Sequence, residues 1–415
     1  MDIKLQSKII KRAEAWLNDA NQSLSQAEKK QQEKIKTLIK RPENKFFLVQ
    51  LLDQCFRTKK STRIFQLVMS LLNRFGTPSF LNFFEQKSLL FVRLLGPLFS
   101  SVTIKVMLLK IRANTTHVIL RGEFSKLIPH LLKRYKENFK VNINRVGELV
   151  LGENEALRFL KKYSNDIKHP NIKVVSIKLS SICSKITPLG ETLSKKILID
   201  RLSSLFNLAE KHDTLVNIDM EEFSQAQLNS DVFTKTLDQF PNLIAGIVIQ
   251  TYLINSHNSY MDLLSWAKKR IKNGGSKIRV RLVKGANLEM EDIETSHTGW
   301  ASPVYDSKLK VDANFKRVLK TAMDPDNIKA IKIGVASHNL FDLSYAYEIA
   351  HTNNILEEIT FEMLEGVANH IARAVKKSHP NVLLYTPIAN KGNFINAIGY
   401  LVRRFDENTS EENFL

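Results

Sequence analysis

Residues 245–286 read AGIVIQTYLINSHNSYMDLLSWAKKRIKNGGSKIRVRLVKGA. Two β-rich runs, AGIVIQTY (245–252) and KIRVRLVKGA (277–286), flank an amphipathic stretch, and Gly274 stands where a helix C-cap belongs. Strand, helix and strand in this order form a βαβ unit, whose strands pair in parallel. The same texture recurs in VNINRVGE (141–148), KVVSIKLS (173–180), LVNIDMEE (215–222), IKAIKIGVASHN (328–339), EITFEMLEG (358–366) and VLLYTPIA (382–389). Helical segments such as KKILIDRLSSLFNLAEKH (195–212) and LFDLSYAYEIAHTNN (340–354) lie between them. Eight short runs alternating with helices predict an α/β fold of the (β/α)₈ type, a TIM-like barrel. An open doubly wound sheet also alternates, but it seldom reaches eight runs this short.

Upstream the chain reads as helix after helix. AEAWLNDANQSLSQAEKKQQEKIKTLIK (13–40) is long, polar and weakly periodic, whereas FFLVQLLDQCF (46–56) and IFQLVMSLLNRF (64–75) are apolar at helical spacing. The expected division is a helical accessory region over 1–135 and the barrel over 136–415.

Composition narrows the function classes. The 415 residues are 43% hydrophobic, enough for a large core. The two cysteines, Cys55 and Cys183, offer no disulfide framework and point to a reducing, cytoplasmic setting. The N-terminus MDIKLQSKIIKRAEAW is charged throughout and is no signal peptide. The most apolar stretch, SLLFVRLLGPLFSSV (88–102), is short for a membrane span and is interrupted by Arg93 and Pro97, so a buried helix pair in a soluble protein is expected. The net charge of +19 is spread over the whole chain. Basic stretches such as KRYKENFK (133–140) fit solvated helix faces and lack the aromatic interleaving of a nucleic-acid site, so no nucleic acid is expected. Attraction to an anionic membrane surface is compatible with this charge.

Barrel enzymes carry their chemistry at the C-terminal ends of the strands. The eight runs place there Glu148, Lys178, Asp219 with Glu221 and Glu222, Gln250 with Tyr252, Arg281 with Lys284 and Gly285, Ser337 with His338 and Asn339, Glu362 with Glu365, and Tyr385. Lys178, Arg281 and Lys284 supply positive charge suited to a phosphate, a carboxylate or an anionic cofactor. The KGA step (284–286) is small enough for a planar ring to approach the backbone. No HxH or HExxH spacing occurs, so no metal is expected. There is no GxSxG elbow and no GxGxxG after a strand, and Cys183 reads as a core cysteine. The segment after the last run, FINAIGYLVRRFDEN (394–408), has Tyr400, Arg403, Arg404 and Glu407 on one helical stripe and Ile398, Leu401, Val402 and Phe405 on the opposite one. From the residues alone, that polar stripe is either a solvated face or an anion clamp.

RVGE (145–148), SIKLS (176–180), NIDMEE (217–222), VRLVKGANLE (280–289), ASHN (336–339), EMLEG (362–366), LLYTPIA (383–389) and YLVRRFDEN (400–408) occur in this order. Together they resemble the proline dehydrogenase domain of bifunctional proline-utilisation (PutA-type) enzymes, from about residue 85 to the end. The resemblance implies a distorted (β/α)₈ barrel holding FAD. It implies oxidation of L-proline to Δ¹-pyrroline-5-carboxylate by hydride transfer from proline C5 to flavin N5, with a membrane quinone as acceptor. It places Asp219 and Arg281 in the catalytic site. Lys178, Arg403 and Arg404 would take the substrate carboxylate, and Leu364, Tyr385 and Tyr400 would shape the ring pocket. Met220, Gln250, Arg281, Val283, Lys284, Gly285, Ala286, His338 and Asn339 would hold FAD, and Glu148 and Glu407 would orient the two arginines by ion pairs. On this reading the stripe is a clamp, and the basic surface assists peripheral docking at the inner face of the cytoplasmic membrane.

The chain departs from the family pattern at Asn287, where many relatives carry an aromatic residue, and near Asn369, where an acidic residue is familiar. Its last residues, DENTSEENFL (406–415), resemble the lead into an aldehyde dehydrogenase domain, so a truncated piece or a split enzyme with such a partner is expected. The alternatives are a flavin-dependent barrel oxidoreductase for another amino acid such as hydroxyproline, and a basic binding scaffold without catalysis.

Overall fold

The computed structural model describes residues 3–400 except 56–57, 59, 80, 82–85, 88, 90–91, 94–98, 147–149, 188–189, 286–287, 395–396 and 398. Two compact units emerge. One comprises Met1–Asn21 and Phe124–Pro387, the other Gln22–Glu123 and the chain from Ile388 onward.

The strands in chain order are β1 (Leu120–Arg121), β2 (Lys140–Arg145), β3 (Val174–Lys178), β4 (Leu215–Asp219), β5 (Gly246–Gln250), β6 (Ile278–Val283), β7 (Ile331–Ala336), β8 (Ile359–Leu364) and β9 (Val382–Ala389). β2 to β8 pair in sequence, and β9 pairs with both β8 and β2, which closes an eight-stranded parallel barrel. Helices alternate with the strands, as the periodicity predicts. Within each strand, one parity is rich in Ile, Val and Leu, and Ile143, Ile177, Ile218, Val280 and Val335 are fully buried. The other parity is polar: Asn142 and Asn144, Ser176, Asn217 and Asp219, Arg279 and Arg281, Glu362, Tyr385. Hydrogen bonds join these polar residues across strands that are not neighbours, so they fill the lumen while the apolar parity faces the helices.

The NGG step after the helix Ser256–Lys272 resolves into two separate requirements. Gly274 takes φ +82° and donates to the Ile271 carbonyl at 2.9 Å, the left-handed stop expected there. Gly275 makes room, since a Cβ would lie 2.7 Å from Cγ of Arg270. Arg270 is buried and donates to the carbonyls of Leu237, Phe240, Pro241, Leu243 and Ser276, closing loops on the side of the barrel away from the mouth.

The N-terminal helix Ile3–Gln22 buries Ile9, Ala13, Trp16 and Ala20, a stripe at helical spacing. Its Arg12 bonds Glu348 at 2.5 Å and lies 3.9 Å over the Tyr347 ring. Trp16 packs edge-on against Tyr347 and Phe361 and donates to Ser378 at 2.9 Å. This helix therefore covers the outer surface of β8 and its flanking helices.

The second unit contains helices Gln26–Ile39, Pro42–Gln54, Ser61–Phe75 and Ser100–Asn114. The first of these opens with a capping box, Ser25 and Glu28 bonding reciprocally. β1 lies in register with Ile388 and Ala389 at the end of β9, and Arg112 bonds Glu123 at 2.8 Å beside it. Among the described residues, no helix is long and apolar enough to cross a membrane.

Candidate active site

Asp219 ends β4 and is 7% exposed. Its Oδ1 accepts from Arg281 NH1 at 2.8 Å and from Ser176 Oγ at 3.0 Å, and its Oδ2 accepts from the Tyr385 hydroxyl at 2.6 Å. Tyr385 in turn accepts from Asn144 Nδ2 at 2.5 Å, and the Arg281 guanidinium lies 4.9 Å from the Tyr385 ring centroid. Arg281 Nε donates to Glu362 Oε2 at 2.5 Å, and Arg279 donates to Glu362 Oε1 at 2.7 Å. Burial opposes charge on Arg281, but the Glu362 and Asp219 carboxylates outweigh it and hold the guanidinium above the ordinary arginine value. Burial likewise pushes the Glu362 carboxyl up, and Arg281 and Arg279 pull it below the usual glutamate value.

Around this centre lie the other strand-end residues. Lys178 stands in register with Asp219 and pairs with Glu221 at 2.6 Å, and Ser180 donates to the same carboxylate. Gln250 Nε2 donates to the carbonyls of Met220 and Glu221, while Met220 Sδ accepts from Asn229 at 3.2 Å. Gln250 is in register with Val283, the last residue of β6. Lys284 bridges Asp312 at 2.5 Å and Asp342 at 2.7 Å. Burial disfavours its ammonium, yet these two carboxylates hold its pKa above the ordinary lysine value. Gly285 takes φ +135°, and the ring against it is that of Tyr252, whose Cδ1 would lie 1.9 Å from a Cβ there. His338 Nε2 accepts from the Leu364 backbone N–H at 2.9 Å, which puts the proton of the neutral ring on Nδ1. Asn339 caps the helix Leu340–Thr352, its Oδ1 accepting from Phe341 N at 2.9 Å. Leu364 is in register with Tyr385.

Asp219, Arg281 and Tyr385 are thus joined directly, and Lys178, Gln250, Val283 and Leu364 stand beside them at the strand ends. Tyr400 is half-buried in the second unit. Glu148, Ala286, Arg403, Arg404 and Glu407 lie outside the described residues. Asn369, a departure from the family pattern, donates to Glu365 at 3.1 Å and accepts from Gly366 N at 2.9 Å. Glu365 is itself held by Arg134 through two nitrogens.

Reading strand ends alone missed Asn142, Asn144, Ser176 and Arg279, which bond into the same network from deeper positions of β2, β3 and β6. The signal was present as period-2 polarity in VNIN, VSIK and IRVR.

The residues at the mouth fit a flavin. Gln250 Oε1 is a buried acceptor with no hydrogen-bond partner among the described residues, and the carboxylate-paired cations Arg281 and Lys284 stand beside the apolar ends of β6 and β8. No group of three or more His, Cys, Asp or Glu residues placed to hold a metal ion occurs among the described residues.

Comparison with known proteins places this geometry in a family. The model of the proline dehydrogenase family matches residues 127–415. Proline dehydrogenase 2 of Bacillus subtilis strain 168 is 23% identical over 301 residues, 72% of this chain and 88% of that protein. The bifunctional protein PutA of Escherichia coli K12 is 26% identical over 68% of this chain, which spans 22% of its length. The crystal structure of proline utilization A from Bdellovibrio bacteriovorus, inactivated by N-propargylglycine, superposes with a TM-score of 0.80 at 28% identity, covering 98% of this chain and 42% of that one. Proline utilization A from Corynebacterium freiburgense gives 0.69 at 36% identity, covering 73% of this chain and 32% of that one. The chain belongs to the proline dehydrogenase family of oxidoreductases.

Proposed function

We propose that this chain oxidises L-proline to Δ¹-pyrroline-5-carboxylate with bound FAD, the first step of proline catabolism to glutamate, and passes the electrons to a membrane quinone. The observation that carries the reading is the hydrogen-bonded set Asp219, Arg281 and Tyr385 at the C-terminal mouth of a barrel whose sequence matches the family over 127–415. FAD, when bound, supplies the acceptor, its N5 taking the hydride from proline C5.

The chain's residues hold and orient. Gln250 offers the cofactor an acceptor that has no partner among the described residues, and Met220, Val283, Lys284, Gly285, Ala286, His338 and Asn339 complete the cradle by family resemblance. Arg281 brings fixed positive charge to the reacting centre, and Asp219 and Glu362 hold it there. Tyr385 and Leu364 would shape the pocket for the five-membered ring, a role the family resemblance also gives Tyr400. By family resemblance, Arg403 and Arg404 would take the carboxylate with help from Lys178, and Glu148 and Glu407 would pair with the two arginines.

The test is an anaerobic visible spectrum before and after L-proline. Flavin bands that bleach with L-proline and not with D-proline support the reading, and flavin that neither bleaches overturns the substrate. Arg403→Met is expected to lower kcat/KM for proline by tens- to thousands-fold, from a lost charged contact of roughly 2–5 kcal/mol, with flavin content unchanged. Wild-type kinetics in that variant would return the arginines to solvent. The basic surface, at net charge +19, is read as an electrostatic membrane contact for quinone reduction. Binding to anionic vesicles that persists undiminished in high salt would remove that part.

A further inference from the structure

β7 lies between β6 and β8, so a β7 side chain pointing into the lumen would stand between theirs. The β7 residue in register with Arg281 is Gly334, and a Cβ there would lie 2.1 Å from Glu362 Oε1. Through this gap Glu362 of β8 reaches both β6 arginines, Arg279 at 2.7 Å and Arg281 at 2.5 Å. Glu362 is 3% exposed and Arg281 4%, so their charges are matched inside the protein rather than by water. Arg279 and Arg281 balance Glu362 and Asp219. Without Arg279, one guanidinium would serve two carboxylates and leave a buried negative charge uncompensated.

Arg281 is gripped at two points. Nε bonds Glu362, and NH1 bonds Asp219 and reaches Ser176 at 3.4 Å. A guanidinium held at one nitrogen can turn about that bond, whereas two grips on opposite sides fix its plane. Its NH2 makes no hydrogen bond among the described residues.

We propose that Glu362 is the positioning residue that sets the plane of Arg281, with Arg279 as the counter-charge that keeps Glu362 ionised inside the barrel. The orientation so fixed aims NH2 at the bound cofactor and substrate, and to that extent the inference rests on the proline-oxidising reading above.

Glu362→Met alone leaves buried Arg281 and half-buried Arg279 against one carboxylate and risks misfolding. The double variant Arg279→Met, Glu362→Met removes a neutral pair and replaces it with apolar side chains of similar length, an exchange often close to neutral for stability. The experiment compares wild type, this double variant, Arg281→Met and the triple variant by thermal melting, FAD affinity of the apoprotein and the rate of anaerobic flavin bleaching by L-proline. The double variant is expected to melt near wild type and take up FAD, yet to bleach at least about tenfold more slowly. In the Arg281→Met background the same double change is expected to add less than about twofold to either defect, because Glu362 acts only through Arg281. Wild-type bleaching by the double variant overturns the proposal, and so do defects that multiply with Arg281→Met. A wild-type protein that L-proline does not bleach overturns the substrate reading instead. The FAD-affinity cycle then decides the positioning claim: coupled losses support it and independent losses overturn it.

Discussion

Replacing Asp219 by Asn changes almost no volume and tests the centre of the site. The carboxylate accepts from Arg281 at 2.8 Å, from Ser176 at 3.0 Å and from Tyr385 at 2.6 Å. An amide has one acceptor oxygen and one donor nitrogen. If the oxygen faces Arg281, the NH₂ faces Tyr385, whose hydroxyl already accepts from Asn144 and loses its own acceptor. If the oxygen faces Tyr385, the NH₂ points at the Arg281 donors. Either way Arg281 loses one of two counter-charges. Breaking a buried pair by removing one partner costs about 3–5 kcal/mol, and Glu362 remains bonded to Arg281, so the lower end of that range is expected. Urea unfolding followed by far-UV circular dichroism measures it. In the FAD-loaded protein the rate of flavin bleaching by L-proline should fall by about 10²-fold or more, the usual scale for a misdirected electrostatic group. Tyr385→Phe should cost less in the Asp219→Asn background than in wild type, since both variants disturb the Tyr385–Asp219 contact. A variant within about 0.5 kcal/mol of wild type, a scale typical of surface substitutions, with Tyr385→Phe fully additive, would refute the hydrogen-bonded arrangement.

Trp16→Ala removes a 2% exposed ring from the outside of β8 and should cost about 3–5 kcal/mol, checked by the urea midpoint; a loss of a few tenths would detach the N-terminal helix from the barrel. Gly285→Ala combines a φ of +135° with a Cβ 1.9 Å from the buried Tyr252 ring, so roughly 1–3 kcal/mol of backbone strain is expected together with lost FAD retention, and wild-type melting and flavin content would contradict both. The pH dependence has a definite sign. Glu362 and Glu365 are held below the usual glutamate value, Glu362 by Arg281 and Arg279 and Glu365 by His130 and Arg134, in each case against burial. Each then binds fewer protons folded than unfolded. Their stabilisation is complete above the unfolded carboxyl pKa of about 4.3 and is lost as pH falls through the lower folded value. Arg279→Met, Glu362→Met should therefore show a shallower loss of stability below about pH 4 than wild type, measured by urea midpoints at several pH values.

The alternation of strand and helix was legible because each βαβ unit is local: the period and the glycine stop at 274 lie within one short stretch. The strand Leu120–Arg121 was not, because two residues carry no period. The long polar N-terminal stretch reads as one helix until Ser25 and Glu28 are recognised as a capping box, a signal the sequence did contain. Its first half looks weakly amphipathic because two of the four buried positions are alanines, and only Trp16 reveals how tightly it packs. The site divides in the same way. Which residues end the strands follows from the pattern of each run, but which of them touch follows only from closure. Asp219 and Tyr385 are 166 residues apart and on strands that do not pair, and nothing in either run names the other. Closing the barrel brings them together, and a polar lumen must then satisfy itself. That requirement explains Asn144 beneath Tyr385, Ser176 beneath Asp219, and Arg279 beneath Glu362. It also explains a glycine at 334 in the middle of a strand otherwise built from Ile, Lys, Val and Ala. The lumen has space for the Glu362 carboxylate only where β7 carries no side chain, and with that space filled Arg281 is held from both sides.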